Sequence, residues 1–402
     1  MKKKLIYFAA VALVLVACSS EEPIAPPMVE NDAMGANPYR VSLTDALKNA
    51  DALLGELGEG ETTRSVERKV ESVEYYSRPG TRALGGDTLL YLVNYADDAG
   101  FALLSADSRL RPIYAISDEG SMSFSDTTYN KGLALFARGV EAELASLPSI
   151  QLPIDSLPEG PIINPEGTVT LTSQKSPMLG YHQSRWYQRN PYNIYCFTND
   201  GRQAVVGCAA IAVGQIMSYY QHPTSYAGYM FDWEGMNAGT NLENIARLVQ
   251  LLGNADNLRM NYGVSSSGAA PSRIAPTFSN MGYENPGYLA PFNENAVKTN
   301  LVENGPVFVG GSNSEGGHAW VIDGYKQYIY LNLGTGFKTY DDVLFHCVWG
   351  WGESSNGYFY WAPTNSLGGD PVERNPNDPI SGTISDPYGG ISYLGGFEIV
   401  PL

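Results

Sequence analysis

Apolar residues change their spacing several times along this chain, and each change marks an expected element. Leu43, Ala46, Leu47, Ala50, Leu53 and Leu54 recur at helical spacing and predict an amphipathic helix. A loose stretch of Gly, Glu and Thr follows over residues 55–69. Apolar runs then predict strands over Val70–Tyr76, Thr88–Tyr95, Gly100–Ser105 and Pro112–Ile116, with Asp97-Asp98-Ala99-Gly100 as a hairpin turn. Helical spacing returns over Thr127–Leu147, where Leu133, Leu135, Phe136, Val140 and Leu144 share one face. Residues 148–176 contain five Pro and little periodicity, so they predict a linker open to proteolysis. The rest opens with loops and a helix from Cys208 to Tyr220, then turns to strands rich in Gly, Tyr and Trp. Helix first and strands afterwards predicts an α+β class.

The N-terminus carries a different pattern. Lys2, Lys3 and Lys4 precede an apolar run from Leu5 to Ala17, which is too short to span a bilayer and fits a secretory signal. The run ends in Leu15-Val16-Ala17-Cys18, which resembles a bacterial lipobox and makes Cys18 the expected lipidated residue. Ser19-Ser20-Glu21-Glu22 is similar to the acidic export tags of Bacteroidetes surface lipoproteins. The expected organisation is a lipoprotein signal peptide (1–18), a flexible tether (19–37), a smaller first domain (38–150), a cleavable linker (151–176) and a second domain (177–402). The expected location is the outer membrane, facing the periplasm or the cell surface.

Composition narrows the function. Among 402 residues there are 25 Lys plus Arg and 42 Asp plus Glu, a net charge of −17, which disfavours nucleic acid as a partner. A hydrophobic content of 44% supplies a core and excludes global disorder. Of the four Cys, lipidation of Cys18 leaves Cys196, Cys208 and Cys347, an odd number that points to a free thiol. Cys196 and Cys347 could pair or stay reduced.

Cys208 follows Gly207 at the expected start of a helix, where unpaired N–H groups and the macrodipole favour a thiolate and can bind an oxyanion. A small cysteine packed under a helix start would look the same. A thiolate nucleophile needs a base, and the candidates are His182, His222, His318 and His346. His318 opens a strand-like run after Gly316-Gly317, a rigid place for a base. His222 ends a helix, His182 falls in a loop, and His346 next to Cys347 lacks the spacing of a metal site. No cofactor is expected. Trp349 and Trp351 either pack the core or shield a Cys–His pair from water.

Four segments together resemble the streptopain family of papain-like cysteine peptidases and its Bacteroidetes relatives. They are Gln188-Arg189-Asn190-Pro191-Tyr192-Asn193, Gly207-Cys208 with Gln215-Ile216-Met217, Gly317-His318-Ala319-Trp320-Val321-Ile322-Asp323-Gly324, and Trp349-Gly350-Trp351-Gly352 with Gly357-Tyr358-Phe359. Residues 92–120 look like the family's inhibitory propeptide domain. The resemblance implies a papain-like catalytic domain after an inhibitory α+β domain, and a zymogen freed by cleavage in the linker. It implies Cys208 as nucleophile, His318 as base, Gln188 with the Cys208 N–H as oxyanion hole, and Trp349 as a shield. It implies protein or peptide substrates, with the chain's own propeptide as inhibitor. Many relatives carry Asn where this chain has Val348, which cannot hydrogen-bond an imidazole. A backbone carbonyl, water or another side chain must then orient His318. Without one, the chain would be a binding protein on a degenerate peptidase scaffold. Another thiol acyl-transfer enzyme, such as an amidase or transglutaminase, is the remaining alternative.

Overall fold

Among the described residues, helix and strand periods become twenty-one α and β elements. The N-terminal part contains α1 (Leu43–Gly55), β1 (Val70–Ser77), β2 (Thr88–Tyr95), β3 (Phe101–Ser105), β4 (Ile113–Ser117) and α2 (Lys131–Ser146). Next come β5 (Thr168–Lys175), α3 (Tyr181–Ser184), α4 (Cys208–Tyr220), β6 (Ser225–Tyr226), β7 (Tyr229–Met230), α5 (Trp233–Asn237), α6 (Leu242–Leu252) and α7 (Ile274–Asn280). The last are β8 (Tyr288–Pro291), α8 (Glu294–Glu303), β9 (Val307–Asn313), β10 (Gly316–Asn332), β11 (Lys338–Val348), β12 (Gly357–Tyr360) and β13 (Ile391–Gly395). The computed structural model describes residues 40–55, 68–77, 88–108, 110–124, 131–146, 168–313, 316–332, 338–352, 355–360 and 391–395, all within the unit Gly35–Leu402. Cys18, the signal segment and the tether lie outside the described residues.

Local chemistry explains the element ends. The Ser42 hydroxyl accepts the Asp45 N–H at 3.1 Å and starts α1. Asp97 and Asp98 take left-handed φ values of 60° and 58° in the turn between β2 and β3. Asn241 and Asn293 cap α6 and α8 through their side-chain oxygens.

One expectation needs correction. Thr168–Lys175, read as the end of the linker, is strand β5, paired antiparallel with β10 from Thr168↔Leu331 to Lys175↔Tyr325. The alternation Thr168-Val169-Thr170-Leu171-Thr172 carries a strand period, and Val169 is buried. Residues 151–167 lie outside the described residues.

An eleven-stranded sheet runs β1-β2-β3-β4-β12-β11-β10-β9-β13-β8, with β5 beside the far half of β10. Its neighbours pair antiparallel. The N-terminal strands join the C-terminal ones through β4 and β12, at Ser117↔Gly357, Ile116↔Tyr358 and Ala115↔Phe359. All five residues of β4 are buried, as a continuous apolar run demands.

Three clusters pack around this sheet. One holds Ile211, Ile216 and Met217 of α4 with Leu248 and Leu252 of α6 and Val321 and Val348 of the sheet. A second joins Leu133, Phe136, Val140 and Leu144 of α2 to Trp320, Phe345, Trp349 and Phe359. The third joins Ala46, Ala50 and Leu53 of α1 to Tyr328, Tyr330, Leu344 and Tyr358. The N-terminal strands and their helices are too few to cover both faces of their own sheet, so they share two cores with the strands that follow. The mixed helix-and-sheet class is as expected.

Candidate active site

Gly207 has φ of 96° and a Cβ there would lie 2.9 Å from the Ser267 carbonyl oxygen, so this turn admits glycine alone without strain. The turn makes Cys208 the first residue of α4. The Cys208 thiol faces the N–H groups of Ala319, Ala209 and Cys208 itself. Removal from water pushes its pKa up, while those three N–H groups and the Lys131 charge pull it down, with a net upward shift. The neighbour Ala319 places the thiol beside the start of β10, next to His318.

His318 is buried, and its Nε2 lies 2.8 Å from the Trp349 carbonyl oxygen. A carbonyl only accepts, so Nε2 carries the hydrogen and donates it. Nδ1 is left with the lone pair a base needs. Val348 is buried among apolar side chains and takes no part in this. The next residue's backbone therefore supplies the orienting acceptor that the Val348 side chain lacks. The Trp349 N–H donates to Asn356 Oδ1 at 3.0 Å, and Asn356 Nδ2 donates to the Ser184 carbonyl at 3.3 Å, which fixes this peptide. The rings of Trp320 and Trp351 stack near His318, each with centroids 6.2 Å away, and Trp349 is tilted at 6.4 Å. Desolvation lowers the His318 pKa, the Trp349 carbonyl partly opposes it and Lys131 adds to the lowering, which leaves it at about 4. Both shifts favour the neutral thiol and the neutral imidazole.

Gln188 is buried, and its Nε2 donates to the Gly350 carbonyl at 3.4 Å, leaving its second N–H for another acceptor. The Val206 N–H donates to the Gln188 carbonyl at 2.9 Å, which holds this segment against the residues leading to Cys208. Cys208, His318, Gln188 and Trp349 thus lie on adjoining segments.

The remaining candidates do other work. His346 Nδ1 pairs with Asp323 Oδ1 at 2.6 Å, and Asp323 Oδ2 accepts the N–H groups of Met178 and Leu179. Burial opposes protonation of His346, but the charges of Asp323, Asp118 and Glu119 outweigh it and raise its pKa. His222 lies 3.3 Å from the Gly282 carbonyl. Cys196 donates to the Tyr262 hydroxyl at 3.7 Å and Cys347 to the Phe345 carbonyl at 3.6 Å, so these two thiols are unpaired with each other. Among the described residues no His, Cys, Asp and Glu group suits a metal ion.

Sequence reasoning missed what lies over the site. Gly132 of α2 rests on His318 and Trp349: a Cβ there would lie 2.7 Å from His318 Cδ2 and would overlap the Trp349 ring. Leu135, one turn on, lies against Gly311 of β9. The contact of Asn356 with the Trp349 peptide carries no local signal either. Lys131 and Gly132 carry no local signal of their role.

Residues 186–359 match the Peptidase C10 family, and residues 39–143 match the Spi protease inhibitor family. The chain is 28% identical over 315 residues to the thiol protease/hemagglutinin PrtT of Porphyromonas gingivalis, across 68% of this chain and 34% of that protein. It therefore spans about a third of that relative's length. It is 24% identical over 327 residues to streptopain of Streptococcus pyogenes, across 69% of this chain and 75% of streptopain. In fold it is similar to prointerpain A of Prevotella intermedia, with a TM-score of 0.53 at 18% identity over 82% of this chain and 100% of that one. A thiol at a helix start, an imidazole fixed beside it, and an N-terminal segment of inhibitor type laid over both agree with these matches: residues 186–359 form a Peptidase C10 (streptopain family) domain and residues 39–143 a Spi protease inhibitor domain ahead of it.

Proposed function

We propose that the protein is an exported, lipid-anchored cysteine endopeptidase whose nucleophile is Cys208. The observation that carries this reading is the pairing of a Cys208 thiol beside β10 with a His318 ring whose Nε2–H is fixed by the Trp349 carbonyl. In the precursor α2 covers the pair, and the low His318 pKa and raised thiol pKa keep both neutral. Departure of α2 removes Lys131 and readmits water, so the imidazole becomes more basic and takes the thiol proton on Nδ1. The thiolate attacks the substrate carbonyl, and the oxyanion is held by the Cys208 N–H and the free N–H of Gln188. His318 returns the proton to the leaving amine and the C–N bond breaks. Water then adds to the thioester, giving a proton to His318, and the acid product leaves as the thiol reforms.

The Trp349 carbonyl supports this reading over a binding protein on a degenerate scaffold, since Val348 was the reason to suspect one. The lipid anchor at Cys18, a location at the outer membrane and cleavage within residues 151–167 rest on the sequence features given above. The test is to express residues 19–402 beside Cys208→Ala, cut the linker, remove the inhibitor segment by further digestion, and add an epoxide thiol probe with a general peptide substrate. One label at Cys208 and turnover lost in the variant are expected; absence of both in folded protein overturns the enzyme. Incorporation of labelled fatty acid by the full chain, lost in Cys18→Ser, tests the anchor.

A further inference from the structure

Beyond Trp351, the ring stacked on His318, lies a cavity of about 580 Å³ lined by Tyr181, His182, Arg185, Tyr187, Leu242 and Trp351 among others. Tyr187 packs edge-on against Trp351 with centroids 6.1 Å apart, which makes the cavity continuous with the catalytic aromatic wall. Its cation is Arg185. The guanidinium lies 3.7 Å over the Tyr181 ring, and Nη1 donates to the Tyr181 carbonyl at 3.1 Å. Both contacts come from α3 itself, within the C-terminal segment.

The outer face of that guanidinium meets a carboxylate of the inhibitor segment. Arg185 Nη2 lies 2.5 Å from Glu119 Oε2, with both side chains about four-fifths buried. Glu119 sits on the loop after β4. The Ser117 hydroxyl pins this loop: it accepts the Glu119 N–H at 3.2 Å and lies 2.5 Å from the Asn356 carbonyl. Gly120 presses on Ser355, so the loop closes directly over the turn that carries Trp351.

We propose that Arg185 is a specificity residue, which exchanges Glu119 of the inhibitor segment for a carboxylate side chain of the substrate on the leaving-group side of the scissile bond. The inference deepens the peptidase reading and rests on it. The side follows from chemistry: His318 protonates the leaving amine, so residues after the bond pass over Trp351, the one of the three indole rings beside His318 that is only partly buried. An oriented, partly desolvated guanidinium binds a carboxylate with charge-assisted hydrogen bonds and binds an amide less well. The net charge of −17 argues the other way, for basic or neutral substrates, so the two expectations separate cleanly.

The experiment uses activated enzyme whose active sites are titrated through Cys208. Peptides carry Glu, Gln or Lys at successive positions after the scissile bond, and kcat/KM is measured for wild type, Arg185→Gln and Arg185→Glu. The expected result is a preference of wild type for Glu over Gln at one such position by about tenfold, equivalent to about 1.4 kcal/mol. Arg185→Gln levels it and Arg185→Glu inverts it in favour of Lys. Equal cleavage of Glu and Gln peptides by wild type overturns the proposal without any variant, as does a preference that survives in Arg185→Gln. Loss of turnover on every peptide by wild type would instead overturn the peptidase reading, and with it this one.

Discussion

The His318 imidazole takes its tautomer from a peptide carbonyl, a group that no substitution at Trp349 removes. Only the placement of that peptide is open to mutation, and Asn356 holds it. Asn356→Ala is expected to lower kcat about ten- to a hundredfold with little change in KM, because a small displacement of a reacting group costs orders of magnitude. Steady-state kinetics on the activated enzyme checks this, and an equal fall in binding would point to collapse of the turn instead. His318 also sets a pH dependence. Its pKa is about 4 in the folded precursor against an ordinary 6.5, so between these values the unfolded chain binds more protons here. Its contribution is full above pH 6.5 and is lost as pH falls towards 4, by up to about 3 kcal/mol. Urea unfolding of the Cys208→Ala precursor at stepped pH measures it. The double variant with His318→Asn should lack that component, whereas the raised pKa of His346 adds a slope of opposite sign to both.

Among elements, α2 decides whether the site is open. Its apolar face was readable from periodicity, and Leu133, Phe136, Val140 and Leu144 are buried as that spacing implies. Which neighbour the face would meet was not readable, since a helical stripe says nothing about its partner. The first turn is the sensitive part, because Gly132 leaves no room for a Cβ against His318 and Trp349. Gly132→Leu should cost the docked helix about 1–3 kcal/mol through overpacking. Peptide turnover by the intact precursor, assayed before any cleavage, should therefore rise about tenfold or more. Unchanged latency would mean that α2 is not what closes the cleft. Strand β5 shows the opposite failure of reading. Its Thr-Val alternation was present, but the Pro-rich stretch ahead of it suggested a linker, and only pairing with β10 makes it a strand.

At the scale of the molecule, inhibitor and catalytic segments share one sheet and two cores. The join includes an ion pair: Arg111 Nη1 lies 2.6 Å from Asp342 Oδ1 with both side chains nearly buried, and the guanidinium covers the Tyr360 ring at 3.2 Å. Burial raises the Asp342 pKa and Arg111 opposes it. A single cut in the linker removes none of these contacts, so the two fragments should co-elute on gel filtration and remain inactive until the inhibitor segment is degraded or dissociates. Arg111→Ala strands a buried carboxylate, at a cost of about 3–5 kcal/mol. The cut Arg111→Ala protein should separate, or gain activity, at much lower dilution than wild type. Co-elution at every dilution would show that the ion pair is not part of the lock.

Cys208 and His318 were legible because their chemistry is written in short segments: a thiol after Gly207, an imidazole after two glycines at a strand start. Helix and strand periods likewise exposed α1, β1 to β4, α2 and α4, since those periods come from residues a few positions apart. The orienting acceptor of His318, the seat of Gly132 and the union of β4 with β12 join residues far apart in the chain. Local spacing carries no record of such contacts. They are decided when two apolar faces, neither able to bury itself, close on each other and bring an inhibitor helix down on the catalytic pair.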